Sequence, residues 1–139
     1  MSAIRRTFAA DLSSLAGSQV IVRGWVYRLR VLAKTTFIIV RDCSGEVQCV
    51  APTESLHDLR PKVDDAIEVR GAVRKDDRAR GGIEVDINGA TLLNRAASLL
   101  PFTSSSDVSD VGLDILTEYR PLALRNDRVG DVFRVQAAI

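Results

Sequence analysis

The sequence predicts a mainly β fold: a five-stranded barrel with a short helix between its third and fourth strands, then a linker and a C-terminal helical segment. Three observations carry this expectation. Residues 67–74 and 83–88 alternate apolar and polar side chains with period two, as half-buried antiparallel strands do. Residues 19–30, 35–41 and 46–51 are rich in Val, Ile and aromatic side chains, which favour a pleated surface. Three strands, a short helix and two strands is the order of an OB-fold, a five-stranded Greek-key barrel. An open five-stranded sheet has the same order; closing it removes most exposed edges.

The elements follow in turn. Residues 4–16 are a lead-in with a short helix over Phe8, Leu12 and Leu15, ended by Gly17. The first strand, 19–30, contains Gly24, which marks a bend or bulge of the kind found at barrel corners. The second strand, 35–41, is joined to the third, 46–51, by the turn Asp42-Cys43-Ser44-Gly45. Pro52 stops the third strand, and residues 53–63 form a short helix or loop limited by Pro61. Residues 75–82 are a polar hairpin loop ending in Gly81-Gly82, between the two alternating strands. These segments make a domain over residues 1–95. Residues 96–112, with three consecutive serines, read as a hinge or linker, and 113–125 and 127–139 as helices. The second helix runs to Ile139 with no capping glycine, as expected of a chain that continues in a longer protein.

Composition narrows the function. The 139 residues are 46% hydrophobic, enough to bury a core. Cys43 and Cys49 lie six positions apart with no histidine cluster beside them, so no zinc site is expected and both are read as reduced. No apolar run is long enough to span a membrane, and the N-terminus has no signal-peptide core, which gives an expectation of a cytoplasmic location. The net charge of +1 conceals an asymmetry. Residues 1–41 carry seven Lys/Arg and one acid, while the remainder carries twelve Lys/Arg and seventeen acids. A basic first third fits a local anionic partner, most often nucleic acid, or a solvated cationic face.

No catalytic constellation is present in the sequence. The single histidine, His57, has no nucleophile or metal-ligand partner nearby, and phosphate loops, nucleophile elbows and paired apolar carboxylates are missing. The chain reads as a binder. If Thr36, Ile38 and Val40 point inward, Phe37 and Ile39 point outward; if Val47 and Cys49 point inward, Gln48 points outward on the next strand. Arg28, Arg30 and Lys34 lie at the end of strand one and in the loop after it. A stacking ring, an amide and several cations are the groups with which OB-folds hold single-stranded nucleic acid. The pattern alone also allows Phe37 to be barrel core with the cations merely solvated.

Three stretches resemble the class II asparaginyl/aspartyl-tRNA synthetase family: VRGWVYRLRVLAKTTFIIVRDCSGEVQ (22–48), RGAVRKDDRARGGIEV (70–85), and DILTEYRPLALR (114–125) followed by VFRVQAAI. The first is similar to that family's Gly-Trp-Val strand and its Arg-Asp…Gly-x-Val-Gln hairpin. The second resembles the later hairpin of asparaginyl and archaeal-type members, and the third the passage into the catalytic domain. The resemblance implies an N-terminal OB-fold that binds the tRNA anticodon. In the family, the middle base (U35), shared by Asp and Asn tRNAs, stacks on a Phe that falls on Phe37. An Arg and a Gln that fall on Arg30 and Gln48 bond to its edge. Arg28, Lys34, Arg78 and Arg80 are then supporting phosphate or loop contacts. The resemblance also implies ATP and Mg²⁺ in a catalytic domain whose motifs are not in this chain, and a homodimeric full-length enzyme. On this reading residues 113–139 begin that catalytic domain, and the chain alone has no cofactor and does not aminoacylate. The loop after Arg30 departs from the family, with Val31-Leu32-Ala33-Lys34 where glycines are common, and Ala79-Arg80-Gly81-Gly82 replaces Ala-Pro-Gly-Gly. Two other classes remain open: a free-standing single-strand binder, and an interaction module using the apolar helix 127–139.

Overall fold

The computed structural model describes residues 6–97 and 100–139. The lead-in expected from residue 4 therefore begins, as described, at Arg6. The chain divides into two compact units, one ending at Ala96 and the other Ala97–Ile139.

The first unit is a closed barrel with strand order β1-β2-β3-β5-β4: β1 Gln19–Val31, β2 Thr35–Arg41, β3 Glu46–Pro52, β4 Ala66–Lys75 and β5 Ile83–Asn94. Neighbouring strands are antiparallel except β3 and β5, which run parallel over Gln48↔Glu84, Cys49↔Val85 and Val50↔Asp86. Pairing of β1 with β4, from Gln19↔Ala72 to Trp25↔Ala66, closes the ring. The expected period-two pattern builds the interior. Val20, Val22, Ile38, Val40, Val47, Cys49, Ile67, Val69 and Val85 are buried together. Each such side chain removed from water stabilises the fold by roughly 1.5–3 kcal/mol. Leu12 and Leu56, from the 3-10 helices Ala9–Leu15 and Thr53–Leu56, join the same core.

Three details differ from expectation. The lead-in helix is a 3-10 helix, and Phe8, expected within it, stands before it, 38% exposed. Asp42 fixes this helix to the β2–β3 turn: Oδ2 accepts from Ala9 N at 2.9 Å and Oδ1 from Ser44 N at 2.8 Å. Secondly, β5 continues six residues past Asn88 to Asn94, because β4 pairs with it along its whole length. Alternation hides this, since register shifts at Arg70/Gly71 and Ala66/Ile67 change which residues face inward. Thirdly, the break in β1 is not at Gly24. The register shifts between Val26 and Arg28, leaving Tyr27 as a bulge. Gly24 serves close approach instead: a Cβ there would lie 2.2 Å from the Arg41 carbonyl oxygen.

In the second unit the residues expected only to link, 100–112, contribute Phe102 and Val108 to a small core with Leu122 and Ala123. Asn126 caps the final helix by accepting from Arg128 N at 3.1 Å, and its amide donates to the Ser104 and Ser106 carbonyls. The helix expected over 113–125 is broken at Tyr119 into α1 Leu113–Glu118 and α2 Arg120–Ala123, and α3 spans Asp127–Ala138. Pro121 accounts for the break, because it cannot donate to the preceding turn.

Candidate nucleic-acid interface

The bulge at Tyr27 decides the chemistry of the outer face. Val20, Val22 and Val26 point into the barrel. Unbroken alternation would send residues 28 and 30 the same way. The extra residue reverses the phase: Leu29 packs toward the core, while Arg28 and Arg30 are exposed. They then stand beside β2 in two rows, Arg28↔Ile39 and Arg30↔Phe37. The rows continue onto β3 as Ile39↔Gln48 and Phe37↔Val50.

These side chains line a cleft of about 490 Å³, whose wall comprises Arg28, Leu29, Arg30, Phe37, Ile39, Gln48, Asp76 and Arg78. Phe37 is half-buried on the outer face while Thr36 and Ile38 are buried inside, so the ring is not barrel core. Of the seven residues singled out in the sequence, five meet here: Arg28, Arg30, Phe37, Gln48 and Arg78. Lys34 is exposed in the β1–β2 loop and is not part of the wall; its carbonyl accepts from Thr53 N at 3.1 Å. Arg80 is turned away onto Glu46, with which it forms an ion pair.

The sequence reading missed several contributors. Ile39 is placed outward beside Phe37 by period two but is not named there as a contact. Asp76 lies in the β4–β5 loop, where no periodicity operates. Its Oδ1 accepts from Arg78 N at 2.9 Å and Nε at 3.1 Å, and its Oδ2 from Nη2 at 3.0 Å. These bonds from Arg78 hold the Asp76 carboxyl below the usual carboxylate range. Beside Gln48 on the neighbouring strand lies Glu84, 2% exposed. Its Oε2 accepts from Gln48 Nε2 at 3.0 Å, and its Oε1 from Arg74 Nε at 3.2 Å and from Arg74 Nη2. The sequence placed Glu84 on a polar strand face; only the non-local β3–β5 pairing reveals it beside Gln48.

The cleft thus offers an aromatic face, a pair of exposed guanidiniums on the β1 side, that of Arg28 5.3 Å from the Tyr27 ring centre, an amide on the floor, and a carboxylate at the loop side. Such a set can take a flat aromatic ring against Phe37, with donors for its edge on Arg30 and Gln48 and an anion beside Arg28, away from the anionic Asp76. The arrangement holds no nucleophile–base pair. Among the described residues no cluster of His, Cys, Asp and Glu is placed to hold a metal ion. Burial raises the thiol pKa of Cys49 strongly, which leaves it an inert part of the core.

Comparison with known proteins agrees with this geometry. Residues 20–93 match the family described as the OB-fold nucleic acid binding domain of the tRNA anticodon type. The asparagine–tRNA ligase of Pelotomaculum thermopropionicum is 33% identical over 142 residues, covering 98% of this chain and 32% of that protein. The aspartate–tRNA(Asp/Asn) ligase of Methanocaldococcus jannaschii is 33% identical, covering 96% of this chain and 32% of that protein. Among solved structures, asparaginyl-tRNA synthetase from Pyrococcus horikoshii, complexed with asparaginyl-adenylate, superposes with a TM-score of 0.82 at 25% identity, over 97% of this chain and 32% of that one. The chain therefore spans about a third of the length of the curated relatives it matches.

Proposed function

This chain belongs to the tRNA-anticodon family of OB-fold nucleic acid binding domains, and from that premise we propose that its cleft holds the anticodon loop of an Asp- or Asn-type tRNA. The observation that carries the reading is the half-buried Phe37 ring on the outer barrel face, flanked by Arg30 and with Gln48 one strand away. Phe37 stacks on the middle anticodon base, a uridine, and Gln48 and Arg30 bond to its edge. Arg28 neutralises phosphate, and Arg78, paired with Asp76, is a supporting loop contact. Single-stranded loop bases can be splayed and read in this way, whereas the major groove of an RNA helix is too narrow for side chains. Lys34 and Arg80, which lie outside the cleft wall, are supporting contacts at most. The relatives support the further proposal that the domain serves a longer aspartate- or asparagine-tRNA ligase. The ATP- and Mg²⁺-dependent ligation would then belong to the part of such a protein outside this chain.

The test is a binding titration with an anticodon stem-loop carrying GUU or GUC, against the same loop with the middle uridine replaced. Replacement is expected to weaken binding clearly, and Phe37→Ala to weaken it by about 1–3 kcal/mol with the fold intact by circular dichroism. Equal binding of all loops would instead identify a nonspecific single-strand binder, whose affinity falls steeply with salt.

A further inference from the structure

Gln48, Glu84 and Arg74 are consecutive partners across β3, β5 and β4. Glu84 is almost fully enclosed, and its two oxygens are divided: one takes the Arg74 guanidinium, the other takes Gln48 Nε2 at 3.0 Å. A carboxylate paired with a guanidinium presents only acceptors on its free side. A glutamine amide has a donor end and an acceptor end, which half a turn of the last torsion exchanges. Against Glu84 only the NH₂ end can bond; the reversed amide would set oxygen against oxygen. The Gln48 carbonyl oxygen is therefore kept off Glu84, and the amide has one orientation rather than two.

We propose that Glu84, itself fixed by Arg74, is a positioning residue that orients the Gln48 amide and so makes the cleft accept uracil and reject cytosine. This rests on the cleft being the anticodon-loop site. The two pyrimidines stack alike and differ by exchange of donor and acceptor at adjacent edge atoms. Uracil offers N3–H as donor and O4 as acceptor; cytosine offers N3 as acceptor and its 4-amino group as donor. An amide locked in one orientation complements both atoms of one base and opposes both atoms of the other at the same seat on Phe37. An amide free to turn complements either. Phe37 cannot supply this discrimination, since a ring face is indifferent to the edge, and Arg30, which only donates, can favour O4 over a 4-amino group but cannot answer N3–H.

The experiment compares stem-loops with uridine or cytidine at the middle position, bound by the full chain and by Glu84→Gln. The substituted side chain can donate to or accept from Gln48, so the lock is released while volume is kept. The native chain is expected to prefer the uridine loop by about tenfold or more, the discrimination typical of a well-placed bidentate contact. In Glu84→Gln that ratio should collapse to about twofold, with the salt dependence of binding unchanged because the phosphate contacts are untouched. A merely structural loss would weaken both loops together and preserve the ratio, and a preserved ratio overturns the proposal. A native chain that binds both loops alike overturns the anticodon reading itself. Should Glu84→Gln not fold, NMR of the native chain decides: the Gln48 amide protons, identified by their loss in Gln48→Met, should exchange with water at least about tenfold more slowly than those of exposed Gln136. Equal exchange would show that no lock exists.

Discussion

Glu68 has the same arrangement as Glu84 on another part of the barrel: a carboxylate only 4% exposed, enclosed by arginines that remain half in solvent. Its Oε2 accepts from Arg23 Nε at 2.6 Å, and its Oε1 from Arg70 Nε at 2.9 Å and Nη2 at 2.7 Å. These bonds, with that from Arg23 the largest influence, hold the Glu68 carboxyl below its ordinary value. A lowered folded-state pKa means that the folded state gives up this proton more readily than the unfolded chain. The stabilisation is thus fully present above the unfolded value of about 4.3 and is lost as pH falls through the folded value. Glu68→Gln is expected to lower stability at neutral pH by on the order of 1 kcal/mol, the low end for charge-assisted bonds because both guanidiniums are solvated. It should also flatten the acid limb of the stability curve. Urea midpoints at about pH 7 and about pH 3 check this; an acid limb as steep as the native one would mean that other carboxylates carry it.

At the scale of the elements, the barrel depends on places where two backbones come too close for a side chain. A Cβ on Gly71 would lie 2.1 Å from the Asp86 carbonyl oxygen, and one on Gly24 would lie 2.2 Å from that of Arg41. Gly71→Ala is expected to push β4 from β5 beside the Arg70/Gly71 bulge and to destabilise the barrel by about 1–3 kcal/mol, the range of an overpacked core. A thermal melt within a degree or two of native would contradict it. Strand order and the inward set on β2 and β3 were legible in the sequence, because period two survives wherever a strand is regular. Phe37 and Gln48 were found for that reason. Glu84 beside Gln48, the far half of β5 and the phase of β1 were not legible. Each depends on a register shift or on pairing between segments distant in the chain, and neither leaves a local pattern.

For the molecule as a whole, the division at Ala96 leaves both the barrel core and the cleft wall in the first unit. Within it, buried Asp65 closes the end of the barrel, accepting from Lys62 N at 2.8 Å, Ala96 N at 2.9 Å and Arg95 Nη1 at 2.8 Å. A chain ending at Ala96 is expected to fold cooperatively and to bind the anticodon stem-loop within about twofold of the full chain, as a domain with its own core does. Loss of cooperative unfolding in that shortened chain would show that the second unit is needed. The spare residue at Tyr27 also gives the barrel a heritable constraint. The inward valines at 20, 22 and 26 and the outward arginines at 28 and 30 share the same parity along the chain. Point substitution leaves that parity alone, and losing the codon for Tyr27 would give a regular strand with the arginines still outward, whereas losing a codon between Val22 and Val26 would set the valines on its two sides on opposite faces. Evolution can therefore rewrite this strand letter by letter, but it can shorten it by one only at the bulge.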